Sequence, residues 1–141
     1  MTGLAVLVAV LLAATAFGLW RARTAGWLTP PRSRHNMRPA LTRDDIGQDL
    51  GERATLVQFS TAFCAPCRAT RQVLAHVANT VDGVRHVEID AESHLDLVRR
   101  LGVTRTPTTF VLDHRGQVAK RSAGVPRLAE VTGFVDQMGR E

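Results

Sequence analysis

Acidic side chains are missing from the first 43 residues of this 141-residue chain, and charge of either sign is missing before Arg21. Cysteine occurs only twice, and neither a second C-x-x-C nor an H-x-x-x-H accompanies the pair. These absences exclude several classes. A zinc knuckle needs two further ligands at short spacing, so Cys64 and Cys67 do not read as half of a metal site. A purely structural disulfide is also a poor reading, because closing so small a loop removes little chain entropy. Nucleic-acid binding loses its support once the net charge of +5 is located: Arg21, Arg23, Arg32, Arg34, Arg38 and Arg43 precede every acid. Removing these six from the 18 basic residues leaves 12 against 13 acids in residues 44–141.

The length allows one compact domain of about 100 residues plus an appendage. Leu4 to Trp20 carries no charged side chain, and the stretch from Thr2 onward makes a helix of about 28 Å, close to the hydrocarbon thickness of a bilayer. Residues 1–20 are therefore expected to form a transmembrane anchor. A cleaved signal peptide is the competing reading, but a signal opens with Lys or Arg and has a shorter apolar core. Trp20 and Trp27 bracket the expected membrane surface, and Arg21 and Arg23 can lie against anionic headgroups. Because all six arginines follow the helix, the positive-inside rule places the remainder in the cytoplasm. Residues 21–40, with Pro30, Pro31 and Pro39 among polar and basic residues, read as a linker, and residues 41–141 as the folded domain.

Within that domain, Thr42 and Asp45 have the spacing of a capping arrangement, which predicts a short helix over 43–50 closed by Gly51. Ala54 to Ser60 is rich in β-formers and reads as a strand. From Ala65, Val73, Leu74, Val77, Ala78 and Val81 recur at helical spacing, with Gly83 as the stop. Val84 to Asp90 predicts a second strand, followed by a helix capped by Ser93 and stopped at Gly102. Thr108–Leu112 and Gln117–Ser122 flank His114-Arg115-Gly116 as a hairpin. Pro126 begins a last helix with Leu128, Val131, Val135 and Met138 on one face. The order αβαβαββα implies an α/β fold, a mixed sheet with helices on both faces.

Cys64-Ala65-Pro66-Cys67 falls between a buried-looking strand and the start of an amphipathic helix. A thiol at a helix N-terminus meets unpaired N–H groups and the positive end of the macrodipole, which favour the thiolate. Cys64 is therefore the expected nucleophile, and Cys67, one turn further in, the sulfur that resolves its mixed disulfide. Pro66 fixes the backbone where its missing N–H has no partner to lose.

Taken with Phe59-Ser60-Thr61-Ala62-Phe63 before the cysteines, Arg105-Thr106-Pro107-Thr108, the Gly116 hairpin and Gly124, this pattern resembles the thioredoxin family over residues 41–140. The resemblance implies a thioredoxin-like fold and a thiol:disulfide oxidoreductase. It also implies a cis Pro107 against the cysteine pair and backbone groups of Thr106 offered to an extended substrate. Phe63 replaces the family's Trp and Ala65 its Gly. Gln58 stands where the family carries a buried Asp, and His86 where that Asp has a lysine partner, so slower deprotonation of Cys67 is expected.

The implied partners are protein or small-molecule disulfides, the lipid bilayer, and an electron donor. That donor is of the thioredoxin-reductase type in the cytosol, or a membrane relay on the other side. No cofactor or metal is implied. His35, His76 and His94 read as surface groups, and His114 as a turn residue. Arg68 and Arg71 read as a solvated helix face, with steering of acidic partners as the alternative. The competing class is a membrane-tethered scaffold or metal carrier in which the dithiol is incidental.

Overall fold

The computed structural model describes residues 10, 12–17 and 39–140. Most of the expected anchor and linker, including Trp20, Trp27 and all the clustered arginines except Arg43, lies outside the described residues. Residues 10 and 12–17 are helical, with Val10, Leu12 and Phe17 exposed. Among the described residues no helix is long and apolar enough to cross a membrane.

The domain runs α1 (Arg43–Ile46), β1 (Ala54–Ser60), α2 (Ala65–Thr80), β2 (Val84–Asp90), α3 (Leu95–Arg100), β3 (Thr108–Asp113), β4 (Val118–Ala123) and α4 (Leu128–Met138). The four strands lie in the order β2-β1-β3-β4. β1 and β2 are parallel, and the other two pairings are antiparallel. This is the mixed sheet expected from the alternation of elements.

β1 is buried at every position, so both of its faces need a cover. Val57 and Phe59 point into a cluster with Val87, Ile89, Phe110, Leu97 and Leu101, closed by Leu41 and Ile46. The rings of Phe59 and Phe110 meet edge to face with centroids 5.7 Å apart. Ala54 and Leu56 face the other way, onto Leu74 and Val77 of α2 and Val131 and Val135 of α4. Thus α1 and α3 cover one face, and the longer α2 and α4 the other.

Helix ends depart from expectation where two stop signals compete. Thr42 and Asp45 do form a capping box, but Gly47, with φ 71°, closes α1 well before Gly51. Gly51 serves a different need: its N–H donates to Thr55 Oγ1, and a Cβ there would strike the carbonyls of Ala54 and Gly83. α2 ends at Val81 in an extended conformation, and Gly83 forms the turn into β2 instead of capping the helix. Ser93 does not cap α3, because its hydroxyl donates to Asp90; His94 holds the cap position with no side-chain bond to the helix N–H groups, its Nδ1 lying 3.0 Å from the Asp90 carbonyl. On α4, Val131 and Val135 are buried, whereas Leu128 stays 43% exposed, because the helix begins after Arg127 and its first turn overhangs the core.

Gly116 has φ 79°, and a Cβ would press on the Leu41 backbone carbonyl, whereas Gly133 is exposed within α4 and a Cβ there meets nothing within 4 Å. Gly116→Ala is expected to lower stability by more than about 1 kcal/mol, and Gly133→Ala to raise it by about 0.5–1 kcal/mol. Urea unfolding midpoints of the two variants should move in opposite directions; movement in the same direction would contradict the backbone reading.

Candidate active site

The buried strand β1 delivers the chain directly to the cysteines. Cys64 N–H bonds the Thr61 carbonyl at 3.3 Å, forming a turn that leaves Cys64 extended (φ −87°, ψ 96°) as the N-cap of α2. Ala65 opens the helix and Pro66 sits in its first turn, where an intrahelical donor is not needed. The N–H of Cys67 points back at Cys64 and reaches its Sγ at 3.2 Å. Cys64 and Cys67 are joined as a disulfide with Cα atoms 5.2 Å apart. Their accessibility differs: Cys64 is half-buried, while Cys67 is 2% exposed. Phe63, just before the pair, is fully exposed, and Ala65 and Pro66 are exposed beside it.

The segment before β3 forms the opposite wall. The Thr106–Pro107 peptide is cis. The hydroxyls of Thr61 and Thr106 meet at 3.2 Å, and the Pro107 carbonyl accepts from Gly124 N–H at 2.9 Å. Neither the N–H nor the C=O of Thr106 has a hydrogen-bond partner among the described residues. An extended chain laid beside Thr106 would find both groups free.

Beneath the disulfide lies Gln58, fully buried, whose Nε2 donates to the Cys67 carbonyl at 2.9 Å. Its Oε1 has no partner among the described residues. His86 shares that face of the sheet, paired with Leu56 on β1, and its buried Nε2 is likewise unpartnered. Burial pushes the His86 imidazole below its ordinary value; Glu88 opposes this in part and Arg71 adds to it. The ring is therefore neutral at pH 7.

Sequence reasoning missed Glu88. It is the residue paired with Gln58 across the parallel ladder. Its carboxylate accepts from Arg71 Nε at 2.5 Å and Nη2 at 2.7 Å, and from Ser60 Oγ at 2.7 Å. The Arg71 fork, against the opposing effect of burial, holds this carboxyl below the usual range. Arg71 thus lies on an exposed helix face, as expected, and is ion-paired with β2 as well. Period-two alternation in β2 puts His86 and Glu88 on one face, but only the β1–β2 register brings Glu88 opposite Gln58. Among the described residues, no group of three or more His, Cys, Asp or Glu is placed to hold a metal ion.

One sulfur within reach of solvent, a second buried behind it at the mouth of a helix, and a cis-proline wall define a thiol:disulfide oxidoreductase. The sequence profile of the family described as Thioredoxin matches residues 40–137. Thioredoxin C-2 of Corynebacterium nephridii is 30% identical over 87 residues, which span 61% of this chain and 80% of that protein. Thioredoxin H2 of Arabidopsis thaliana is 32% identical over 72 residues, 51% of this chain and 53% of the relative. Among solved structures, chloroplastic thioredoxin z superposes with a TM-score of 0.58 at 25% identity, over 64% of this chain and 81% of that one. A thioredoxin of Halobacterium salinarum shares the fold with a TM-score of 0.59 at 20% identity, over 67% and 80% of the two chains. The chain belongs to the thioredoxin family.

Because the folded-state value of His86 lies below the ordinary 6.5, the unfolded chain takes up a proton that the folded chain resists as pH falls below that point. Stability contributed by the neutral ring is present above pH 6.5 and is lost on acidification through the folded value. The lowered carboxylates of Glu88, Asp45 and Asp90 exert the same kind of dependence only below about pH 4.5. Between pH 7 and 5, native protein should therefore lose more stability than His86→Gln in denaturant melts. Equal losses would show that the ring does not carry the effect.

Proposed function

We propose that this chain is a membrane-tethered reductase of protein or small-molecule disulfides, with Cys64 as nucleophile and Cys67 as resolving thiol. The observation that carries the reading is the Cys67 N–H aimed at Cys64 Sγ from the first turn of α2. On reduction, a negative charge on that sulfur keeps the donor and the positive end of the helix. The Cys64 thiolate attacks one sulfur of the substrate disulfide, and the other leaves as a thiolate that takes up a proton. Cys67 then loses its proton and attacks Cys64 Sγ, which releases the second substrate thiol and restores the Cys64–Cys67 disulfide. Two electrons pass from the protein to the substrate, and a thioredoxin-reductase-type donor or a membrane relay must return them.

Phe63, Ala65 and Pro66 form the apolar floor beside the attacking sulfur, while Thr106 and Pro107 seat an extended substrate against it. Gln58 positions Cys67 through its carbonyl but cannot accept the Cys67 proton, because an amide is not a base near neutral pH. Neutral His86, on the same face, is the nearer analogue of a base. In reduction of insulin driven by dithiothreitol, native protein should be active and Cys64→Ser inert. Gln58→Asp should speed resolution by about tenfold or more, as general bases do. Activity surviving in Cys64→Ser would end the reading.

The uncharged stretch Leu4–Trp20, helical residues 12–17 and the exposed Val10, Leu12 and Phe17 support a single membrane anchor. The arginines that follow it support a cytoplasmic domain. Native chain should pellet with membranes and resist carbonate extraction, and a C-terminal alkaline phosphatase fusion should be inactive. Extraction by carbonate would remove the anchor from the proposal, and an active fusion would move the domain to the other side.

A further inference from the structure

Three segments are linked to one another next to the cysteine loop: residues 61–68, residues 103–108 and residues 123–127. The Thr61–Thr106 hydroxyl contact and the bond from Gly124 N–H to the Pro107 carbonyl join them. None of the three contains Asp or Glu, and each contributes one exposed arginine: Arg68, Arg105 and Arg127. Arg68 and Arg105 pair with no carboxylate among the described residues, and Arg127 reaches Glu130 only at 4.0 Å. By contrast, Arg99 is answered by Asp96 and Arg100 by Asp45. Desolvation, and then the neighbouring charge of Arg105, push Arg121 below its ordinary value, while its guanidinium donates to the carbonyls of Leu101 and Gly102.

The fourth side differs. Ala91 N–H bonds the Ser60 carbonyl, which brings the turn carrying Asp90 and Glu92 against the end of β1. Asp90 is engaged by Ser93 and by the Glu92 N–H, whereas the Glu92 carboxylate has no partner among the described residues. The rim therefore carries exposed cations without a carboxylate partner at Arg68 and Arg105, and an exposed carboxylate at Glu92. Its middle is apolar, formed by exposed Phe63 and Val125.

Resting on the oxidoreductase reading, we infer that the preferred substrate is an extended protein segment whose disulfide is flanked by Asp or Glu, laid along Thr106 with its acids toward Arg105 and Arg68. Such complementarity acts mainly on the rate of encounter and is screened by salt. The second charge pattern, a lysine-flanked disulfide, meets two unanswered cations and is disfavoured.

The test uses reduced full-length chain in a neutral detergent and two synthetic peptides. Each peptide carries one central cysteine as a mixed disulfide with 5-thio-2-nitrobenzoate, flanked by Glu in one and Lys in the other. Cys64 takes the peptide sulfur and the coloured thiolate leaves; Cys67 then frees the peptide thiol. At low salt the Glu peptide should react about tenfold faster, and the ratio should shrink toward one as ionic strength rises. Arg68→Ala combined with Arg105→Ala should abolish the ratio while leaving the rate on a Ser-flanked peptide unchanged. Equal rates on the two charged peptides, or a ratio that survives the double substitution, would overturn the preference and leave the dithiol chemistry standing. Failure to release the coloured thiolate from any peptide would overturn both.

Discussion

Strand β1 is buried on both faces along its whole length, and most of the domain can be understood as the means of keeping it so. Its backbone groups are taken up by β2 on one side and β3 on the other, and its side chains divide between two apolar clusters. A strand held this way ends at a fixed place and in a fixed direction. The chain leaving Ser60 turns within four residues into α2, which itself packs on the strand through Leu74 and Val77. The Gln58 bond to the Cys67 carbonyl is the most direct expression of the constraint, since it links the strand interior to the first turn of the helix. Geometry at the sulfurs is thus inherited from the core.

The same constraint explains why polar groups accumulate under the dithiol. An apolar core needs no partners, but Gln58, His86 and Glu88 all fall on the face covered by the start of α2. There the helix supplies a carbonyl to the first and an arginine to the last. Glu88 is fully answered, by Arg71 and Ser60. Gln58 and His86 each keep one buried atom unanswered. Buried groups of that kind are expensive, and they persist most readily where chemistry uses them.

Much of this was legible in the residues. The bounds of β1 and β2 follow from runs of β-formers, and the dithiol at a helix start follows from Cys64-Ala65-Pro66-Cys67 between two periodic segments. What escaped depends on contacts between segments distant in sequence. Gly47 and Gly51 are equally good stop signals locally; the close approach of Gly83 is what reserves Gly51 for packing. Ser93 looks like a cap until Asp90 takes its hydroxyl. Glu88 is one charge in an alternating strand until register sets it opposite Gln58, and the ion pair of exposed Arg71 is not visible until α2 is laid over β2. The thioredoxin resemblance supplied the positions of Gln58 and His86 but offered no reason to look at Glu88.

Residue 40 bridges to Gln117, and Val118 N–H bonds the Pro39 carbonyl, so the N-terminal segment enters the domain beside the β3–β4 hairpin. That hairpin lies at the end of β1 occupied by Ala54, whereas the sulfurs lie beyond Ser60. Entry point and reactive pole are separated by the length of the strand, about 20 Å at the usual rise per residue. Because the chain enters at the end opposite the sulfurs, residues 39 and 40 leave the reactive end of the strand open to an incoming macromolecule.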